Sequence, residues 1–458
     1  MKRAAFFAGL TGAALIGCSS MAPTYVRPEA PVAATFPQAQ AATGTPASDI
    51  PWQQFFVDVR LRRLIELALA NNRDLRVAVL NIEQARAQFD VRRADEWPTV
   101  SAGLTGSRQP TGTGSVNTLI TAGVQVTAYE LDLFGRVRSL ADTALAQYLA
   151  TDEARKAAQI SLIGTLASTY LALQADDELL RVTRQTLATR NDSARLTRLR
   201  FDNGASSQLD LRQAESLQAQ AEVALAQTQR QRALDLNALT LLVGQPLPDD
   251  LPVAAPITAL PDVPAGVPSD LLARRPDVRQ AEQQLIAANA NIGAARAAFF
   301  PRITLTGSAG TASNQLGGLF KSGTFAWSFA PQLLQPIFDA GRNEGNLKLA
   351  QVARDIAVAQ YEKAIQSAFR EVADALAGRA TLGEQLRAQL AQVTAEQDRV
   401  RLSDLRYRNG AASYLDLLDA QRSLFAAQQA LVQLQALGLQ NSVALYRVLG
   451  GGWSTTLQ

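Results

Sequence analysis

The chain has 458 residues, of which 47% are hydrophobic, and this is enough to build more than one domain. Its formal net charge of +3 is small and no block of Lys and Arg stands out, so a nucleic-acid-binding surface is not indicated. With no His and a single Cys, the sequence excludes histidine-based triads, most zinc sites, histidine proton shuttles and any disulfide within the chain.

Residues 1–17 have the pattern of a secretory signal peptide, a positively charged end followed by an apolar core. The core ends in the letters LIGC, which resemble a bacterial lipobox. That resemblance implies that Cys18 becomes the first residue of the mature protein and carries acyl chains. Ser19 in the next position implies sorting to the outer membrane.

Residues 18–58 are predicted to form a lipidated N-terminal tail. The segment is rich in Pro, Ala and Thr, a composition typical of extended chain with little regular structure. Its end contains three large aromatic residues, Trp52, Phe55 and Phe56. We expect them to anchor the tail against the folded body, with contact to lipid as the alternative.

Residues 59–244 are predicted to form a first repeat of helices and strands. Helical periodicity begins at Leu61 and stops at Pro98. Alternating apolar residues on both sides of a Gly-, Thr- and Ser-rich loop then predict a β-hairpin over 99–131. A helical pattern of roughly 65 residues follows from Gly135, which corresponds to about 100 Å. Such a helix is far longer than compact domains use and suits a structure that crosses a wide gap.

One motif occurs twice, at an offset of 206 residues. An Asn-Gly pair, Asn203-Gly204 in the first copy and Asn409-Gly410 in the second, separates two long runs rich in Ala, Leu and Gln. Asn and Gly tolerate the left-handed conformation that stops a helix, and a Ser and an Asp then start the next one. A generic helical hairpin would not need the same motif in both copies. We therefore favour the interpretation that two such tips form a gate.

The second half of the chain repeats the first. A Pro-rich linker over 245–272 is expected to pack along the outside, with a free flexible linker as the alternative. Residues 273–450 then repeat the order of helix, β-hairpin (302–338), very long helix, tip and helix, and a C-terminal tail covers 451–458. The prediction is a tandem duplication with a mixed, mainly α-helical fold.

The four predicted strands limit how the chain can meet a membrane. Their length, around ten residues, suits tilted membrane strands. Four strands cannot close a barrel, and open sheet edges are not tolerated in lipid. If the strands enter a membrane, several chains must share one barrel and bundle their long helices below it. A small soluble sheet capping a coiled coil is the alternative.

Further motifs are spread along the whole mature chain: PTYVRPEAP, FFVDVRLRRLIELAL, YELDLFGR, RRPDVRQAE, AAFFPRITL, PIFDAGR and the final ALYRVLGGGW. With the lipobox and both tips, they make the chain resemble the outer membrane factors of Gram-negative efflux systems. These are the TolC-like proteins, and the resemblance is to their lipoprotein branch, called NodT- or OprM-like.

The resemblance implies a homotrimer in the outer membrane. Its fold would be a shared 12-stranded β-barrel, with four strands per chain, above a long α-helical barrel in the periplasm. The implied function is an exit duct for drugs or other small molecules. The implied partners are outer membrane lipid, a periplasmic adaptor (membrane fusion) protein and an inner-membrane pump of the RND type.

Other classes of function explain the sequence less well. No constellation of reactive side chains is visible, so we expect no enzymatic activity, no cofactor and no metal. A structural or adhesive coiled coil would explain the helices but neither the strands nor the repeated tips. Within the duct class, the outer membrane component of a type I protein secretion system is the alternative, and the lipobox favours efflux of small molecules.

The resemblance also implies which residues surround the periplasmic aperture. Asp416 and Asp419 lie one helical turn apart after the second tip and match positions of aspartate rings in TolC-like proteins. Asp210 matches a residue that bonds across to the helix carrying the match of Tyr407. Ala412 stands where TolC has an arginine, so one locking contact is missing and the partner of Tyr407 is left open. Any of these aspartates, Asp210 in particular, could instead be a helix N-cap or lie on a solvated face.

Overall fold

The computed structural model describes residues 20–37, 45–112, 114–249, 251–252, 260–266, 268, 270 and 274–453. Cys18 and the predicted signal peptide lie outside these residues, as do parts of the Pro-rich linker and of the C-terminal tail.

The elements follow in the order α1 Val59–Asn71, α2 Arg73–Ala94, β1 Val100–Pro110, β2 Val116–Leu131, α3 Arg136–Asp202, α4 Gln208–Val243, α5 Pro276–Ala297, β3 Arg302–Ser313, β4 Phe325–Leu334, α6 Arg342–Arg408 and α7 Tyr414–Val448. Single helical turns also lie at Ala47–Asp49, Trp52–Phe55 and Leu316–Gly318. The predicted fold class, mixed and mainly helical, is confirmed. Both α3 and α6 have 67 residues, which corresponds to about 100 Å of helix. Among the residues that the structure describes, no helix is both long enough and apolar enough to cross a membrane.

The first helical stretch differs from the prediction of one continuous helix that begins at Leu61. The chain forms two helices there, separated at Asn72, whose ψ of 130° is extended. The Asn72 side chain accepts a hydrogen bond from the Leu75 N–H at 2.9 Å and donates one to the Leu242 carbonyl, also at 2.9 Å. The Asn72 side chain therefore caps the start of α2 and also bonds the segment between α1 and α2 to the backbone of α4. A break of one residue hardly changes the apolar spacing, so periodicity alone did not reveal it.

Two compact units are each assembled from three separate segments of the chain. The described residues of unit 1 fall within 1–30, 80–153 and 279–364. Those of unit 2 fall within 31–79, 154–278 and 365–458. Each unit therefore contains residues from both halves of the sequence.

Unit 1 contains the antiparallel sheet, in which the described strands have the order β1-β2-β3-β4. The two hairpins are joined because β2 pairs with β3, from Ile120↔Ser313 to Leu131↔Ile303. A register shift in this pairing lies at Ala128, a non-glycine residue with a φ of 52°. Among the described strands, β1 and β4 are the edges, and each presents unpaired backbone groups.

The N-terminal tail is irregular but is held against unit 1 along residues 20–30. Arg27 forms two hydrogen bonds to the Glu282 carboxylate on α5, at 2.7 and 2.8 Å. Asn289, two turns further along α5, donates to the Pro23 carbonyl at 2.7 Å. Paired charge-assisted bonds of this kind fix geometry as well as adding energy, so this part of the tail follows α5 instead of floating free.

In unit 2, the aromatic end of the tail is buried against α7. Phe55 stacks on Tyr446 with ring centroids 4.0 Å apart, and Phe56 meets the same ring edge-on at 6.1 Å. The Tyr446 hydroxyl donates to the Ile50 carbonyl at 2.6 Å. Trp52 is buried as well. The predicted anchoring of the tail by packing is confirmed.

Candidate functional site

Tip 1, residues 203–207, joins α3 to α4 through a turn that depends on glycine. Gly204 has a φ of 69°. Its N–H donates to the Phe201 carbonyl at 2.9 Å, and the Ala205 N–H donates to the Arg200 carbonyl at 2.8 Å. These two bonds around a left-handed glycine form a Schellman motif, which satisfies the last carbonyls of the helix and turns the chain away from it.

Tip 2, residues 409–413, joins α6 to α7 with the same geometry. Gly410 also has a φ of 69°. In both tips the asparagine side chain, Asn203 or Asn409, donates to the carbonyl four residues earlier at 2.7 Å. The Asn-Gly pair thus has two tasks, since asparagine covers a free carbonyl and glycine adopts the left-handed conformation.

The helices that leave the tips both begin with a capping box. Asp210 accepts from the Ser207 N–H at 3.1 Å while its own N–H donates to the Ser207 hydroxyl at 3.1 Å. Asp416 and Ser413 repeat the arrangement at 3.2 and 3.3 Å. The Ser207 hydroxyl is the main cause that lowers the pKa of Asp210. Both aspartates therefore occupy the N3 position of a capping box, and the N-cap residues are Ser207 and Ser413.

Tyr407, at the end of α6, bonds to the end of α3 through a residue that sequence reasoning did not select. Arg200 Nη1 donates to the Tyr407 hydroxyl at 2.5 Å, and its guanidinium carbon lies 5.3 Å from the centre of the Tyr407 ring. The Tyr407 ring also contacts that of Tyr414 at 5.2 Å. Arg200 is the first residue of the first copy of the repeated motif, as Arg406 is of the second. This repetition was the sequence signal that could have identified Arg200 as part of the site.

Asp419 is paired within the chain. Its carboxylate accepts a hydrogen bond from Arg399 on α6, and it lies 3.9 Å from Arg422 Nη1 on its own helix. The bond to Asp419 is the main cause that raises the pKa of Arg399. The Asp419 side chain nevertheless stays 49% exposed, so its pairing leaves it accessible to ions.

An apolar cluster lies directly behind the two tips. Tyr407 of α6 packs against the cluster. The buried members come from α3, α4 and α7 and are Ala194, Ala214, Leu217, Tyr414, Leu417 and Leu418. Both tips therefore share one small core, and a large movement of one tip relative to the other must open it.

Beyond this cluster, Arg190 is a buried cation without a carboxylate partner among the described residues. Its Nη1 donates to the Leu217 carbonyl at 2.8 Å, and its guanidinium lies 5.3 Å from the centre of the Phe425 ring. Its Nε and Nη2 find no acceptor in the part of the chain that the structure describes. Burial, and then the charge of Arg422, lower the pKa of Arg190. A lone arginine in a helical run has no sequence signature, so it was missed.

Comparison with known proteins assigns this architecture to a described family. The family model of the outer membrane efflux protein matches residues 64–245 and 267–451. The solvent efflux pump outer membrane protein SrpC of Pseudomonas putida is 48% identical over 457 residues, covering 96% of this chain and 97% of that protein. The antibiotic efflux pump outer membrane protein ArpC of the same species is 48% identical over 453 residues, covering 96% of this chain and 94% of that protein. Among solved structures, the open state of the Neisseria gonorrhoeae MtrE outer membrane channel has a TM-score of 0.88 at 41% identity, covering 95% of this chain and 99% of that one.

Proposed function

The chain belongs to the outer membrane efflux protein family, and we propose that a homotrimer of it forms the exit duct of a tripartite efflux system in a Gram-negative bacterium. The observation that carries this proposal is the four-stranded sheet with two open edges, β1 and β4. Three such sheets joined edge to edge supply twelve strands and leave no open edge, as a sheet in lipid requires.

The names of the relatives support the proposal that the chain works with an efflux pump. SrpC is named for a solvent efflux pump and ArpC for an antibiotic efflux pump. We extend this to the present chain as an inner-membrane pump of the RND type, a periplasmic adaptor, and apolar solvents or antibiotics as cargo. Acyl chains on Cys18 add a lipid anchor, since two or more chains hold a protein stably on a membrane.

The aperture of the duct is proposed to lie at the two tips. Asp416, Asp419, Asp210 and Tyr407 surround it, and the Asn-Gly turns of both tips form its rim. The bond from Arg200 to Tyr407 supports this, because it connects α3 to α6 and would hold the tips together while the duct is closed. Breaking that bond and opening the shared core behind the tips are then the steps of opening.

Two experiments with the lipidated protein test the proposal. In planar bilayers, we expect discrete single-channel conductance. In a Gram-negative strain that lacks its own outer membrane efflux channel, we expect expression with a cognate pump and adaptor to restore resistance to toluene and to antibiotics. Channels that support only the secretion of a protein substrate would favour the type I alternative, and an absence of channels contradicts the duct.

A further inference from the structure

The two halves of the chain build the base of the sheet in the same way. We call the base the end at which β2 and β4 finish and β1 and β3 begin. There, the Tyr129 hydroxyl donates to the Glu96 carbonyl at 3.1 Å, and the Gln335 side chain donates to the Phe299 carbonyl at 3.1 Å. The donors are 206 residues apart and the acceptors 203, which are the offsets that relate the two repeats. The two bonds are therefore equivalent, and they align the repeats residue by residue at the base.

This alignment makes Trp97 the equivalent of Phe300, yet the two aromatic residues have different surroundings. Phe134, in the turn after β2, stacks on Phe300 with ring centroids 4.7 Å apart and an interplanar angle of 21°. Trp97 is 72% exposed and has no ring contact among the described residues. One of the two equivalent aromatic positions is thus covered and the other is open.

A second exposed apolar surface, besides that of Trp97, lies in the turn after β4. Ile337 is 96% exposed and Phe338 is 89% exposed. This turn is the equivalent of the one that carries Phe134, although Ala340 stands at the position of Phe134 and the large apolar residues come slightly earlier. Two adjacent large apolar side chains this exposed indicate a surface that another molecule covers.

The edges of the sheet place these two surfaces on opposite sides. The covered contact lies where β2 pairs with β3. Trp97 precedes the edge strand β1, and Phe338 follows the edge strand β4. A second copy that pairs its β1 with this β4 brings its Trp97 to this turn, just as the β2–β3 pairing brings Phe300 to Phe134. The contact joins two different surfaces, so repeating it around an axis gives a ring when the rotation closes, as three sheets forming one closed sheet would require.

We propose that Trp97 of one copy of the chain packs against Ile337 and Phe338 of the next copy, at the base of the shared sheet. The inference rests on the trimer proposed above and adds the side-chain contact that fixes neighbouring copies to each other. The occupant is a second copy because a contact at the equivalent place, between Phe134 and Phe300, already exists inside the chain. Lipid is the competing occupant, and the experiment separates the two.

Cross-linking tests the contact directly. The test variant carries Trp97→Cys and Phe338→Cys, and the control variant carries the equivalent internal pair, Phe300→Cys and Asp132→Cys. Each purified protein is treated with a short bismaleimide and run on a denaturing gel, beside the two single variants, which report any reaction through Cys18. We expect the test variant to give bands at two and three times the chain mass. The control variant should cross-link only within the chain and stay at the mass of one chain.

Native mass measured on the same samples separates the possible failures. A test variant that is trimeric but stays at the mass of one chain overturns the proposed contact and leaves the duct intact. A sample that is not trimeric contradicts the assembly itself. In a separate variant that keeps Trp97 and carries Phe in place of Trp52, Trp327 and Trp453, strong quenching of the fluorescence by brominated lipid in the trimer would assign this surface to lipid and also overturn the contact.

A second pair of variants tests what the contact does. Phe338→Ala removes one side of it, and Phe320→Ala removes a phenylalanine that is 82% exposed in the turn between β3 and β4. We expect Phe338→Ala to lower the temperature at which the trimer dissociates, and Phe320→Ala to leave that temperature unchanged. Equal effects of the two substitutions would contradict the proposal.

Discussion

At the scale of single residues, Asp176 shows how burial can make an efflux duct sensitive to pH. It is only 6% exposed. Burial, followed by the charge of Asp235 on α4 and a hydrogen bond to it, raises the pKa of Asp176 to about 7. The neighbouring Asp177 adds to the rise, while Arg232, which pairs with Asp177 at 2.5 Å, opposes it. Asp176 therefore keeps its proton up to near-neutral pH.

The stability of the helical region should fall as this proton is lost. Because the folded pKa of Asp176 lies above its ordinary 3.8, the stabilisation is complete at acid pH and is lost as pH rises through about 7. Between its ordinary pKa of 3.8 and about 7, we expect the free energy of unfolding to fall by on the order of 1 kcal/mol per pH unit, and above that range the fall should level off. Asp176→Asn should remove this fall, and the control Asp177→Asn should keep it. Thermal unfolding between pH 5 and 9 checks the prediction, and parallel pH profiles for all three proteins would contradict it.

The bond between Arg200 and Tyr407 makes a prediction about closure. Arg200→Ala removes the donor, so the closed state loses a contact between α3 and α6 and the duct should open more often. The repeat equivalent Arg406 donates to the Ala411 carbonyl in its own tip, so Arg406→Ala is a matched control. We expect a several-fold higher open probability in bilayers for Arg200→Ala alone. Equal gating of the two variants would show that this bond does not hold the tips closed.

The carboxylates of tip 2 make a prediction about ion preference. In a trimer, Asp416 and Asp419 would form rings of like charge that attract cations. Substituting both by asparagine keeps an acceptor oxygen for the capping box, so folding should survive. We expect weaker cation selectivity and weaker block by multivalent cations in single-channel recordings. The double substitution Asp398→Asn and Asp404→Asn, at two carboxylates of α6 that pair with Arg401 and Arg408, should change neither. Unchanged selectivity of the first variant would place the ring elsewhere.

At the scale of elements, the tips depend on backbone conformation more than on packing. A Cβ at Gly410 would meet nothing within 4 Å, but its φ of 69° strains any other residue. Gly410→Ala should therefore destabilise the chain by about 1 kcal/mol. Gly383, inside α6, also has open space around it, and there alanine should stabilise by about 0.5–1 kcal/mol. Chemical unfolding of both variants checks the opposite signs, and a shared sign would contradict this account of the tip.

Periodicity predicted most of the elements but not the irregular points. The two 67-residue helices and both hairpins follow from patterns of 3.6 and 2 residues. The helix break at Asn72 and the register shift at Ala128 do not follow from these patterns. A single asparagine does not mark a helix break, and a single alanine does not mark a register shift. The partner of Tyr407 lies 207 residues away in Arg200. No local rule reaches that far, so this part of the candidate site had to come from the structure.

At the level of the whole molecule, the duplication accounts for the proposed assembly of several copies of the chain. One contact between repeats, that of β2 with β3, is made inside the chain. The corresponding contact between β4 and β1 is left open among the described strands. A chain built from two similar repeats therefore presents one unpaired strand edge on each side, and in the proposed trimer the neighbouring copies pair with both.

In the proposed duct, the conducting species contains three chains. The most direct measurement is native mass spectrometry of the detergent-solubilised fraction that forms channels in planar bilayers. We predict a mass of three mature chains, each increased by the acyl groups on Cys18, and conductance in that fraction alone. A monomer or dimer that conducts with the same unitary conductance would contradict the account, because four or eight strands from this chain would then suffice to form the channel.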